Sequence, residues 1–159
     1  MHDIETMSGA GLSFRTILVP FDFSSASQSA LDVAVALAAT SGSAVMLVSV
    51  VEPPLYPDVA YSNIPAAIEE ERRERQTRLA RLIDGRPGLH AVVREGSAKE
   101  AIVRCARDEA ADLIVIGLHT EHGLDHWLRG SVVEHVVLTA PCHVLVVKPA
   151  RGGSAERAA

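Results

Sequence analysis

A chain of 159 residues can hold one domain with a sizeable core and is too short for two ordinary ones. Hydrophobic residues make up 48% of it but aromatic ones only 4%, so Ala, Val, Leu and Ile must build the core, which suits helices packed on a buried parallel sheet. The 15 Lys and Arg against 20 Asp and Glu give a net charge of -5, which speaks against nucleic acid as a partner because such a surface gains little from counterion release.

Residues 1–13, MHDIETMSGAGLS, are polar and without periodicity, and a flexible N-terminal segment is expected there. This start lacks the basic residues and apolar stretch of a signal peptide, and no apolar run in the chain is long enough to span a bilayer. A cytoplasmic protein with no membrane contact is therefore expected. RTILVP (Arg15 to Pro20) predicts a first strand, which ends in FDFSSAS. Ala30, Leu31, Ala34, Leu37 and Ala38 then recur at helical spacing until Ser41 and Gly42, giving the first helix. AVMLVSVV (Ala44 to Val51) is a continuous run rich in β-branched residues, as in a strand covered on both faces.

Four prolines in EPPLYPDVAYSNIP (Glu52 to Pro65) predict a loop, open to acting as a lid. Ala66 to Asp84 reads as a second helix, with Glu69 and Arg73, Glu71 and Arg75, and Glu74 and Arg78 at the supportive four-residue spacing. The charge run EEERRER is most simply its solvated face. LHAVVRE (Leu89 to Glu95) predicts a third strand and SAKEAIVRCARDEA (Ser97 to Ala110) a third helix. DLIVIG (Asp112 to Gly117) follows as the fourth strand, SVVEHVVLTA (Ser131 to Ala140) as the fourth helix and HVLVV (His143 to Val147) as the fifth strand. ARGGSAERAA (150–159) reads as a flexible tail, which leaves one domain over residues 14–149.

Strands alternating with helices predict an α/β fold, a single doubly wound domain with a five-stranded parallel sheet in the order 3-2-1-4-5 and helices on both faces. The order reverses between strands 1 and 4. Ligands of such sheets bind outside the carboxyl ends of the strands at that point, where the loops from Pro20 to Asp22 and from Gly117 meet.

Gly130 and Ser131 open the fourth helix, where unpaired backbone N–H groups and the helix dipole can hold a phosphate. Ser131 and Glu134 also form the SxxE capping box, which needs no ligand, and Ser25 with Gln28 and Ser97 with Glu100 repeat that pattern. Asp22, at the end of strand 1, is placed either to accept from a base or ribose hydroxyl or to stabilise a turn. His119, His122 and His126 cluster on the loop with Arg129 nearby. Their spacing matches no compact zinc motif, so they read as solvated side chains or donors near a polyphosphate, and no metal site is assigned. Trp127 reads as an apolar anchor for that loop. Cys105 shares an apolar helical face with Ala101, Ile102 and Ala106, and Cys142 is far from it in sequence; both read as reduced, structural thiols.

The segments ILVPFDFS, EGSAKEAIVRCA, ADLIVIG, GSVVEHVV and APCHVLVVKP, in that order over residues 14–149, resemble the universal stress protein family. Its nucleotide-binding members carry Gly, two residues, Gly, nine residues, Gly and Ser or Thr after a strand like LIVIG. Here the pattern is Gly117, two residues, Thr120, nine residues, Gly130 and Ser131. The resemblance implies an adenine-nucleotide-binding α/β domain that commonly dimerises. It puts adenosine contacts on Pro20, Asp22, Val50 and Ile116, the ribose contact on Gly117 and phosphate contacts on Gly130, Ser131 and Val132. Thr120 stands where binding members have Gly. Its Cβ enters space a phosphate would use, while its hydroxyl can donate to a phosphate oxygen.

Two functions follow from the resemblance. One is a cytoplasmic sensor or regulator of the stress response that binds ATP or a related adenine nucleotide, with Mg2+ accompanying the nucleotide. The other is a nucleotide-free member that works through dimerisation and contact with an unidentified regulatory protein. Enzymatic activity is not expected beyond slow ATP hydrolysis, since no carboxylate or Lys in the loop is evidently placed to orient water or magnesium. Strand 5 (His143 to Val147) is expected at an edge of the sheet, where pairing with a second copy would form a homodimer.

Overall fold

The structure, a computed structural model, describes residues 13–53, 64–118 and 132–148. The described residues form β1 (Thr16–Pro20), α1 (Ser25–Ser41), β2 (Ala44–Val51), α2 (Ile64–Ile83), β3 (Leu89–Glu95), α3 (Ala98–Asp108), β4 (Leu113–Gly117), α4 (Val132–Thr139) and β5 (His143–Val147). The strands make one parallel sheet in the order β3-β2-β1-β4-β5, as the alternation of elements predicts. The flexible ends, the lid reading and the loop residues from His119 to Ser131 fall wholly or almost wholly outside the described residues.

The central strands are apolar but for Thr16 of β1 and Ser49 of β2, because both faces are covered. Ile17 and Val19 of β1 join α1 and α2 residues in one core, together with Val45, Leu47, Leu79 and Val115. Leu18 points the other way and packs with Val48, Ile114 and residues of α3 and α4. On α1 the buried positions include Ala26, Ala30 and Ala34, whose small side chains let the helix lie close to the sheet. Cys105 is buried with Ala101, Ile102 and Ala106 on the inner face of α3, as their spacing predicts.

Several local expectations shift. The N-cap of α1 is Ser24, whose Oγ accepts from Ser27 N at 3.2 Å, while Gln28 donates to Asp32 instead of closing a box with Ser25. Ser97 precedes α3 but makes no side-chain cap; Glu52 Oε1 accepts from Ala98 N at 2.6 Å in its place. Ser97 and Glu100 still meet, and that hydrogen bond lowers the Glu100 pKa. α2 starts at Ile64, two residues before the expected Ala66, because Pro65 is tolerated in a first turn where no N–H is needed. Along α2, Glu71 and Glu74 pair with Arg75 and Arg78 as expected, whereas Glu69 pairs with Arg72 and Arg73 with Glu70 at three-residue spacing. Asp112 lies just outside β4. Its carboxylate accepts from Arg15 N and Thr16 N at 2.8 and 3.0 Å and so ties the start of β1 to that of β4.

Candidate functional site at the carboxyl ends of the strands

A cavity of about 290 Å³ opens at the carboxyl ends of β1, β2 and β4, at the point where the strand order reverses. Pro20, Phe21 and Asp22 line it from the end of β1, Val48 and Val50 from β2 with Glu52 just after it, and Ile116 and Gly117 from β4. Ala98 and Ile102 of α3 and Val132 and Val133 of α4 close one side. Ser27 of α1 and Arg75 of α2 reach it from the other. Six positions singled out in the sequence, Pro20, Asp22, Val50, Ile116, Gly117 and Val132, thus face one space. Thr120, Gly130 and Ser131 lie outside the described residues, as do His119, His122, His126, Trp127 and Arg129.

The turn after β1 presents Asp22. Its Oδ1 accepts from Ser24 N at 3.0 Å and from Ser24 Oγ, an arrangement that shapes the turn and caps the approach to α1. Asp22 therefore has turn chemistry and a cavity-lining position at once. Phe23, the next residue, adopts φ 66, unusual for a residue with a Cβ. Phe21 packs edge-on against its ring with centroids 5.2 Å apart, and the Arg78 guanidinium lies 3.7 Å above it. These contacts brace the turn from behind.

Gly117 has a packing reason of its own. A Cβ there would stand 2.2 Å from the Ala26 carbonyl oxygen and 2.4 Å from its carbon, so the first turn of α1 rests directly on the end of β4.

Arg75, Glu52, Phe21 and Ile102 line the cavity without having been singled out in the sequence. For Arg75 the reading of EEERRER as a solvated face is corrected: its Nη1 donates to Ser49 Oγ at 2.9 Å, and Ser49 is fully buried. A signal was present. Arg75 falls seven residues after Ile68 and four before Leu79, on the apolar stripe of the helix. The reach of Glu52 back to Ala98 had no such signal, since the two are distant in sequence.

Burial pushes the Cys105 thiol up to about 11 and raises that of Cys142 as well, so both stay protonated at neutral pH. Among the described residues no group of His, Cys, Asp and Glu is arranged to hold a metal ion, and no helix is long and apolar enough to cross a membrane.

A family model described as "Universal stress protein family" matches residues 13–148. A universal stress protein of Thermus aquaticus is 34% identical over 136 residues, spanning 85% of this chain and 99% of that one. The solved structure of MJ0577 from Methanocaldococcus jannaschii superposes with a TM-score of 0.70 at 26% identity, covering 88% of this chain and 99% of that one. A universal stress protein solved in complex with cAMP shares the fold, with a TM-score of 0.61, 23% identity and coverage of 87% of this chain and 99% of that one. With the sheet order, the position of the cavity and a match along nearly the whole length, the chain belongs to the universal stress protein family.

Proposed function

We propose that this universal stress protein binds ATP or a related adenine nucleotide in the cavity at the carboxyl ends of β1, β2 and β4, and acts in the cytoplasm as a sensor or regulator of the stress response. The observation that carries the reading is the convergence of Asp22, Val50, Ile116 and Val132, from four separate segments, on one cavity at the switch point of the sheet. The side chains suit the parts of a nucleotide. Val50 and Ile116 offer apolar surface to a base, and the Asp22 carboxylate can accept from an amino or hydroxyl group. Val132 begins α4, whose first N–H groups have no partner within the helix and favour an anion. In this reading Gly130, Ser131 and Thr120 hold the phosphates, Gly117 lies near the ribose, Pro20 borders the base, and Mg2+ enters with the nucleotide.

Calorimetric titration with ATP tests the reading. Saturable heat that disappears in Gly130→Val supports it; neither heat nor a thermal shift at millimolar ATP sinks it. A protein of this fold has been solved with cAMP, so the cyclic nucleotide belongs in the same series.

A second reading has its own observation. Val137 and Leu138 of α4 and Leu145 and Val146 of β5 are exposed apolar side chains beside a sheet edge, the kind of surface a second copy or a regulatory partner covers. On this reading the protein works through a homodimer formed along His143 to Val147 and needs no nucleotide. An acid extract of purified protein that contains adenine nucleotide counts against it.

A further inference from the structure

Arg75 is the one cationic side chain among the described residues that line the cavity, and its head is fixed at two points. Nε and Nη2 donate to Glu71 Oε1 at 3.0 and 2.8 Å, and Nη1 donates to Ser49 Oγ at 2.9 Å. A guanidinium carries five N–H donors. Among the described residues these contacts use three and leave one on each terminal nitrogen. The side chain is only 22% exposed, so the remaining donors belong to a partly enclosed group whose direction is already set. A guanidinium held in this way on the wall of a largely apolar cavity is suited to a ligand's acceptors.

The direction of approach says which part of the ligand. Arg75 comes from α2, which packs on the face of β2 and β3 shared with α1, whereas Val132 and Val133 of α4 belong to the opposite face. With its phosphates at the start of α4, a nucleotide has its base left to the rest of the cavity, where Asp22, Val50, Ile116 and Arg75 form the lining. Adenine presents an amino donor beside ring acceptors, N7 on one side and N1 on the other. A carboxylate together with a guanidinium complements that pair. Guanine puts a carbonyl where adenine has its amino group, and that carbonyl would face the Asp22 carboxylate.

We infer that Arg75 is a ligand-contacting, specificity-determining residue that donates to a ring nitrogen of adenine while Asp22 accepts from the exocyclic amine. The inference rests on the adenine-nucleotide reading above. Calorimetry on wild type, Arg75→Ala and Arg75→Lys, each with adenosine, 1-deazaadenosine, 7-deazaadenosine and ATP, tests it. Both variants are expected to lose affinity for adenosine and for ATP by the same factor, roughly tenfold or more for a charge-assisted hydrogen bond. One deaza analogue should bind wild type more weakly than adenosine by a similar factor and show no such deficit with Arg75→Ala. Arg75→Lys keeps the stem and charge but lacks the fork, so it reports on the donors even if Arg75→Ala folds poorly. A loss confined to ATP places Arg75 on the phosphates and overturns the inference, as do equal deaza deficits in wild type and variant. Wild type that binds ATP while both variants bind it equally well overturns the role of Arg75 alone. Wild type that binds neither adenosine nor ATP overturns the nucleotide reading and this inference with it.

Discussion

Gly117 sets how closely α1 can approach the end of β4. A methyl group there would overlap the Ala26 backbone, which no side-chain rotation can relieve, so Gly117→Ala must displace the helix. The cost is expected to be about 1–3 kcal/mol, the usual range for overpacking. It should appear as a lower urea midpoint in protein free of nucleotide; an unchanged midpoint would contradict the packing account. Cys105 carries a different residue-scale consequence. Its thiol pKa is raised by burial from 9.0 to about 11, so the unfolded chain releases this proton at lower pH than the folded one. The stability it contributes is intact below about pH 9 and lost as pH rises toward 11, on the order of 2–3 kcal/mol. Chemical denaturation at pH 8 and pH 10.5 should show that decline, and Cys105→Ala should flatten it. At this scale the sequence discloses where a residue stands better than what it touches. The place of Asp22 at a strand end follows from the apolar run before it. The positive φ of Phe23 and the hydrogen bond from Arg75 to Ser49 follow from packing between segments that the local pattern does not contain.

Among the helices, α2 is the least deeply set. Its 20 residues include one fully buried side chain, Leu79; Leu82 and Ile83 pack half-buried against the same core, Arg75 bonds Ser49 and Arg78 lies over Phe23. Leu79→Ala is expected to cost about 2–5 kcal/mol, as for other buried Leu deletions, and to loosen α2 before the sheet. Hydrogen exchange should then show the α2 amides losing protection while β1 and β4 keep theirs; a uniform loss would mean that the helix and sheet unfold as one unit. The surface pairs Arg72 with Glu69 and Arg73 with Glu70 should contribute only a few tenths of a kcal/mol each, because both partners are well exposed. The strands were legible almost to the residue because a strand covered on both faces is a continuous apolar run. The starts of α1, α2 and α3 fell within two residues of expectation, but their caps did not follow the expected pattern. A serine pattern does not say whether Ser24 or Ser25 turns its hydroxyl inward, and Glu52 caps α3 from the end of β2.

For the molecule as a whole, the sheet order leaves two edges, β3 and β5. They are not equivalent. α2 packs along β3, whereas β5 carries Leu145 and Val146 partly exposed and lies beside α4, where Leu138 is 75% exposed. An edge with unpaired backbone donors and acceptors next to apolar side chains is an association surface unless it is blocked. A homodimer paired along β5 is therefore the expected state. Light scattering at tens of micromolar should give twice the chain mass for wild type. Leu145→Lys combined with Leu138→Glu should give the single-chain mass, because a charge on an edge strand opposes pairing and the second substitution removes apolar area. The cavity lies at the carboxyl ends of the strands and draws no described residue from β5, so the monomeric variant should keep the ATP affinity of wild type if the proposed site is complete within one chain. A wild-type monomer, or a double variant that stays dimeric, would exclude this edge as the interface. Monomerisation with loss of ATP binding would instead mean that the partner completes the site, and the two proposed functions would then depend on one assembly.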